Sequence, residues 1–227
     1  MKKMHEGVIK FTCHHTTGPL PTQEGLPGLL AWRKVLHALG MIGQNADRYQ
    51  GYGFGNISVR PGVTGDREKG FLITGTQTGA PAELTPKQCV WVSDWDTEHN
   101  ELASQGTIRP SSESLTHGVL YELQSELGCV MHAHCPEIWQ YGPQWNIPVT
   151  RPEVAYGTPA MADEVRRLWQ ETDAAEKGIF IMGGHEDGVV SYGNDAQTAG
   201  KILVDHLARA YADEYAAPQI QGNSHPF

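Results

Sequence analysis

The chain has 227 residues, 39% of them hydrophobic, and a formal net charge of −9. Its length and apolar content suffice for one substantial core, so the whole of 1–227 reads as a single domain. The acidic balance, with no Lys/Arg cluster, argues against a nucleic-acid or anionic-membrane surface and for a small-molecule partner.

The four cysteines, Cys13, Cys89, Cys129 and Cys135, fall in no CxxC spacing and read as reduced thiols. No stretch has the apolar core of a signal peptide or the length of a membrane span, so the expected location is the cytoplasm. Residues 1–27 carry Pro19, Pro21 and Pro27 and read as an extended lead-in. Cys13, His14 and His15 lie there side by side rather than spaced to converge on an ion. Leu29, Leu30, Trp32, Val35, Leu36 and Leu39 then recur at helical spacing, and Gly40 is the expected stop.

The run Gly51 to Arg60 is a glycine-rich approach that turns into an alternating strand. After the turn-rich 61–70, Phe71–Thr74 reads as the returning strand of a hairpin. Glycines let backbone N–H groups approach a ligand, and Asn56 and Ser58 add neutral polar groups, a combination that suits an anion such as phosphate. Taken by itself, the run has no strand-to-helix context of a dinucleotide fingerprint, and a structural turn is its default reading. The loop from Thr74 to Gly79 either forms another wall of the same pocket or is a plain loop. Cys89–Asp96 alternates as a strand, with Trp91 and Trp95 expected on one face as core or interface residues.

Arg109 to Ser112 leads into a helical pattern in which Leu115, Val119, Leu123 and Leu127 form an apolar stripe that Gly128 ends. Ser111 and Ser112 stand where N-capping hydroxyls belong, and an isolated Glu113 would be a first-turn carboxylate favoured by the helix dipole. The following segment, Cys129 to His134, is a short strand. Side chains two apart on a strand share a face, so His132 and His134 aim both imidazoles at one point. Neutral imidazole is the commonest metal ligand, and this pair needs one or two further donors to complete a catalytic site. Cys129 and Cys135, which flank the pair, read as packing residues.

Thr158-Pro159 opens a helix with Met161, Val165, Leu168 and Trp169 on one face. Gly178 to His185 is an apolar strand with His185 at its end, followed by a turn through Glu186 and Asp187 and a returning strand from Val189 to Tyr192. Taken alone, His185 is a turn histidine, and Glu186 and Asp187 are turn residues or partners that orient an imidazole. His117 and His206 read as packing or surface residues. Asn194-Asp195 opens the last helix, with Ala199, Leu203, Leu207 and Ala210 buried, and 218–227 is a polar tail. The strand pairs look like hairpins, which gives a mostly antiparallel sheet with helices on its faces.

Gly55-Asn56-Ile57-Ser58-Val59-Arg60, the Ile-Thr-x-Thr-x-x-Gly loop, Pro110-Ser111-Ser112-Glu113, His132-Ala133-His134 and a downstream Gly-His occur in this order. Together they resemble the class II aldolase/adducin family from about residue 30 to about residue 212. The resemblance implies a three-layer αβα sandwich around a mostly antiparallel sheet. It implies zinc or another divalent transition metal held by His132, His134 and His185, with Glu113 as the acid/base. The anion pocket would comprise Asn56, Ser58, Thr78, Gly79, Ser111 and Ser112, and the assembly would be a homotetramer. The implied activity is aldolase-type lysis of a small hydroxy-carbonyl or sugar-phosphate substrate through a metal-stabilised enediolate. Epimerisation or dehydration at the same site is the alternative, and a non-catalytic adducin-like oligomerisation module is a second. Several features depart from the family pattern. The Thr-Gly loop is a residue longer, Glu186-Asp187 is inserted after the third histidine, and the catalytic tyrosine segment is missing, with Tyr156 a partial replacement.

Overall fold

The computed structural model of the chain describes residues 9–62 and 69–216. Strand β1 (Thr12–Thr17) is followed by helix α1 (Leu26–Ala38), the short strands β2 (Gly43–Gln44) and β3 (Gly53–Phe54), and the hairpin β4 (Asn56–Val59) and β5 (Phe71–Thr74). A second antiparallel pair, β6 (Cys89–Asp96) and β7 (Glu101–Gly106), precedes α2 (Ser114–Leu123), β8 (Cys129–His134) and α3 (Pro136–Tyr141). The chain then runs through α4 (Pro159–Glu171), α5 (Ala174–Lys177), β9 (Ile179–Ile181), β10 (Gly188–Gly193) and α6 (Ala196–Ala216). Eight strands form one sheet in the order β1-β7-β6-β5-β4-β8-β10-β9, and β2 pairs with β3 apart from it. Every neighbouring pair in the large sheet is antiparallel except β1 with β7.

Strand alternation sorts the core into two layers. On β8, Cys129, Met131 and Ala133 face one way, into a cluster with Leu26, Leu29 and Leu36 of α1, Ile138 of α3 and Leu203 and Leu207 of α6. Val130 faces the other way, into a cluster with Leu115 and Val119 of α2, Met161, Val165 and Leu168 of α4, and Phe180 and Val190 of the sheet. The sheet is therefore covered on both faces, the expected three-layer arrangement. Each fully buried aliphatic side chain contributes about 1.5–3 kcal/mol relative to exposure. By the same parity, His132 and His134 project on the α2 and α4 side, as do Asn56 and Ser58 on β4.

Local chemistry fixes several ends. Thr158 caps α4 by accepting from the Met161 N–H, and Asp195 accepts from the Thr198 N–H at the start of α6. Helix α2 stops at Leu123 rather than at Gly128. The Arg60 guanidinium, reaching over from the end of β4, takes the carbonyls of Tyr121, Gln124, Ser125 and Leu127, so the chain leaves the helix early without a glycine cap. Residues 12–17 of the lead-in form a regular strand, because the open edge of β7 offers a full row of hydrogen-bonding groups.

Two expectations about facing are corrected. A β-bulge between Val92 and Asp94 inserts one residue, so Trp91 packs in the α1 and α6 layer while Trp95 meets Phe71 in the α2 layer. On α1, Val35 is exposed, as is Leu39 just past the helix end, and the inward row is Leu26, Leu29, Arg33 and Leu36. The expected turn at 61–70 falls partly, and the tail at 218–227 wholly, outside the described residues. Among the described residues no helix is long and apolar enough to cross a membrane.

Candidate metal centre

The register of the sheet carries the two histidines of β8 to its middle, where His132 lies opposite Asn56 of β4 and Val190 of β10, and His134 opposite Gly188. His185 enters from the tight turn between β9 and β10, where the His185 N–H donates to the Met182 carbonyl and the Gly188 N–H to the His185 carbonyl. All three imidazoles are buried. Their Nε2 atoms converge: His134 Nε2 lies 3.2 Å from His132 Nε2 and 2.9 Å from His185 Nε2.

The set fits a divalent ion. Ligand nitrogens about 2.0–2.1 Å from a tetrahedral zinc are separated by about 3.3 Å, close to both separations. Burial, and then the charge of neighbouring His185, hold His132 and His134 well below the usual imidazole range. Both are thus neutral, the form that coordinates. Lone pairs crowded this closely repel unless a proton or a cation lies between them, and His134 Nε2 takes part in both contacts. No cysteine joins the set. Burial pushes the Cys135 thiol up to about 12, and it donates to Glu137.

Aromatic rings hold the imidazoles. The ring centres of Tyr49 and His134 lie 4.4 Å apart and those of Tyr156 and His185 4.7 Å apart, both pairs in edge-on arrangement. The Tyr49 hydroxyl donates to the Asp187 carboxylate at 2.6 Å and accepts from Arg48, while the Asp187 carbonyl takes the Cys135 N–H. Asp187 thus ties the His185 turn to the end of β8. Burial, and then the bond to Asp187, raise the Tyr49 phenol far above its ordinary value and keep it neutral. Tyr49, Gln50 and Asp187 all have left-handed backbones, with φ of 48°, 60° and 61°. Strain of about 1–3 kcal/mol per residue is concentrated at this corner.

Beside the histidines lies a small polar cleft. Its walls are Gly53, Gly55 and Asn56, the loop 75–79, and Ser111 with Ser112. Of the residues expected at an anion site, Asn56, Thr78, Gly79, Ser111 and Ser112 line it. Because Asn56 is paired with His132, the cleft adjoins the imidazole cluster. The Asn56 side-chain oxygen is buried without a hydrogen-bond partner. Thr78 is turned inward to donate to the Gly75 carbonyl, and the Ser111 hydroxyl accepts from the Glu113 N–H.

Ser58 is a correction. Its parity puts it on the expected face, but one step deeper, where its hydroxyl bonds His117 Nδ1 at 2.7 Å and the Tyr121 hydroxyl at 2.8 Å. It does not line the cleft, because α2 closes over it. His117, expected as a packing residue, is its fully buried partner, and burial lowers its imidazole to about 3.

Several participants carry weak sequence signals. Gly75, Thr76 and Gln77 belong to a loop read only by its Thr-Gly ends. The spacing 26, 29, 33, 36 places Arg33 on the inner face of α1, but a charged residue in an apolar row is easily assigned to solvent. Lys10 stacks 3.5 Å from the Tyr156 ring centre and donates to the Tyr156 carbonyl, a pairing across 146 positions that no local pattern announces.

Glu113 is 1% exposed at the first residue before α2, and its Oε2 accepts from the Thr116 hydroxyl at 2.9 Å. The segment is tied to the histidines through Tyr156 and Gly157. A Cβ added to Gly157 would stand 2.9 Å from the Ser112 carbonyl oxygen, so only glycine allows this approach. A buried carboxylate, a polar cleft and three convergent buried imidazoles thus occupy one end of the sheet.

Sheet, covering helices and imidazole cluster together define an α/β protein with a candidate metal-dependent catalytic centre. Residues 45–211 match the family described as Class II Aldolase and Adducin N-terminal domain, and the chain belongs to that family. A methylthioribulose-1-phosphate dehydratase of Leptospira biflexa is 25% identical over 180 residues, covering 66% of this chain and 80% of that protein. Among solved structures, L-fuculose-1-phosphate aldolase from Thermus thermophilus superimposes with a TM-score of 0.60 at 20% identity, covering 88% of this chain and 97% of the other. YgbL of Klebsiella pneumoniae, described as a putative aldolase/epimerase/decarboxylase, gives 0.59 at 17% identity, covering 85% and 89%. The two structural likenesses show a shared fold.

Proposed function

We propose that the chain is a divalent-metal-dependent lyase acting on a small phosphorylated hydroxy-carbonyl compound, cleaving a carbon–carbon bond in the manner of an aldolase. The observation that carries this reading is the convergence of three buried imidazole nitrogens beside a polar cleft lined largely by backbone and hydroxyl groups. His132, His134 and His185 would hold the ion, with zinc the first candidate for an all-imidazole set. When bound, the ion supplies Lewis acidity that polarises a substrate carbonyl and stabilises the negative charge developing on its oxygen.

The remaining roles fall to the chain's own side chains. The cleft built from Asn56, Thr78, Gly79, Ser111 and Ser112 takes the anionic end of the substrate and so fixes the distance from that end to the reacting carbons. Glu113 moves the proton. In cleavage, the hydroxyl proton of the carbon that becomes the aldehyde is removed as the carbon–carbon bond breaks. A proton is then returned to the carbon left with the electron pair. Tyr156 covers His185 and excludes water from that side.

Dehydration is the second reading, favoured by the sequence likeness to a methylthioribulose-1-phosphate dehydratase. There the base takes a proton from the carbon beside the carbonyl, and hydroxide leaves the next carbon as water. The test is a screen of ketose 1-phosphates with the metal-loaded protein, scored separately for aldehyde release and for loss of water. Aldehyde release supports the first reading and water loss the second. Turnover of neither kind by a fully metal-loaded protein would refute both. Light scattering tests the homotetramer that the family resemblance implies.

A further inference from the structure

The cleft is lined by no charged side chain, yet a guanidinium lies directly behind one of its walls. Arg33 occupies an inward position on α1 between Leu29 and Leu36 and is 1% exposed. Its Nη1 donates to the Ala82 carbonyl at 2.9 Å, and its Nη2 donates to the carbonyls of Thr78 and Gly79 at 2.9 and 2.8 Å. Among the described residues no carboxylate lies within ion-pair distance of it. Three carbonyl dipoles accept hydrogen bonds from it but leave a full positive charge uncompensated, an expensive arrangement to maintain inside a core.

The peptide plane turns this tie into an orientation. The carbonyl of one residue and the N–H of the next lie in one plane and point in opposite directions. Drawing the Thr78 carbonyl towards Arg33 therefore turns the Gly79 N–H away from α1, and drawing in the Gly79 carbonyl does the same for the Ala80 N–H. Neither the Thr78 nor the Gly79 N–H donates to an acceptor among the described residues. A Cβ added to Gly53, on the facing wall, would stand 3.2 Å from the Gly79 nitrogen. The Gln77 side chain accepts from the Gly53 N–H at 3.0 Å and fixes the spacing of the two walls.

We infer that Arg33 is the positioning residue of the cleft: it aims the Gly79 N–H outwards and places an uncompensated charge behind the loop, so that the cleft prefers a phosphoryl dianion to a neutral end group. This deepens the proposed function and rests on its assignment of the anionic end of the substrate to this cleft. A neutral side chain could tie the loop without supplying the charge, and that difference makes the role testable.

The experiment is titration of the metal-loaded, full-length protein with inorganic phosphate in the absence of substrate. The Arg33→Gln variant is expected to bind phosphate about tenfold or more weakly, with Arg33→Lys recovering part of the loss and metal content unchanged in both. Wild-type phosphate affinity in folded Arg33→Gln would overturn the assignment. Should both variants fail to fold, the wild-type amide resonances of Gly79 and Ala80 decide. They shift on adding phosphate if the assignment holds, and their failure to shift refutes it. Phosphate binding that depends on Arg33, in a protein that turns over no phosphorylated substrate, would leave this assignment standing and remove the proposed function.

Discussion

The network of Ser58, His117 and Tyr121 makes a quantitative prediction about acid stability. His117 is fully buried, its Nδ1 takes part in the bond to Ser58, and burial lowers its imidazole to about 3. In the unfolded chain the same group titrates near 6.5. A folded value below the unfolded one means that the unfolded chain binds the proton first. The stabilisation is therefore complete above about pH 6.5, declines as pH falls below it, and is gone below about pH 3. At about 1.4 kcal/mol per pH unit, the loss between pH 7.5 and pH 5 is about 2 kcal/mol, and the whole window is worth about 5 kcal/mol. The assay is urea unfolding at pH 7.5 and pH 5, with chelator present throughout to remove metal linkage, for the native chain and for His117→Gln. The variant should lose about 2 kcal/mol less than the native chain over this interval. Parallel losses in the two proteins would refute the assignment of His117 as a neutral buried group.

Two further substitutions test the proposed chemistry. Glu113→Gln should lower turnover by a factor of about 10² or more while the protein keeps its metal, and full activity in that variant would end the role of Glu113 in proton transfer. Gly79→Ala should weaken binding of inorganic phosphate and raise KM for phosphorylated substrates, because the added Cβ would overlap the Gly43 carbonyl oxygen and force the loop from its wall. Metal content, measured on the same preparation, should not change.

The strands that position the site are legible because their signals are local. Alternation along Cys129 to His134 puts both imidazoles on one face, and the hairpin from Asn56 to Thr74 and the turn between β9 and β10 follow from glycine and hydrophobic pattern. His185 is different. It has no periodic partner of its own, and only family resemblance links it to residues more than fifty positions earlier. What is hidden in the sequence is chemistry that one element supplies to another. Arg60 ends α2 by taking its carbonyls, so a helix expected to reach Gly128 stops at Leu123. Ser58 has the parity of a site residue, but a histidine and a tyrosine from α2 cover it. Trp95 changes face because of one bulged residue, which leaves no mark in the alternation before it. Arg33 sits on the correct face of α1, but its acceptors are three carbonyls of a loop about forty-five residues away, and carbonyls have no sequence signature.

The central claim is that His132, His134 and His185 form a metal centre. Its most direct measurement is elemental analysis of the purified protein after zinc loading and removal of excess metal, beside the double variant His132→Ala, His134→Ala treated identically. One divalent ion per chain is expected in the native protein and none in the double variant, with circular dichroism showing both folded. A native chain that retains no ion, or a double variant that retains as much as the native chain, would contradict it.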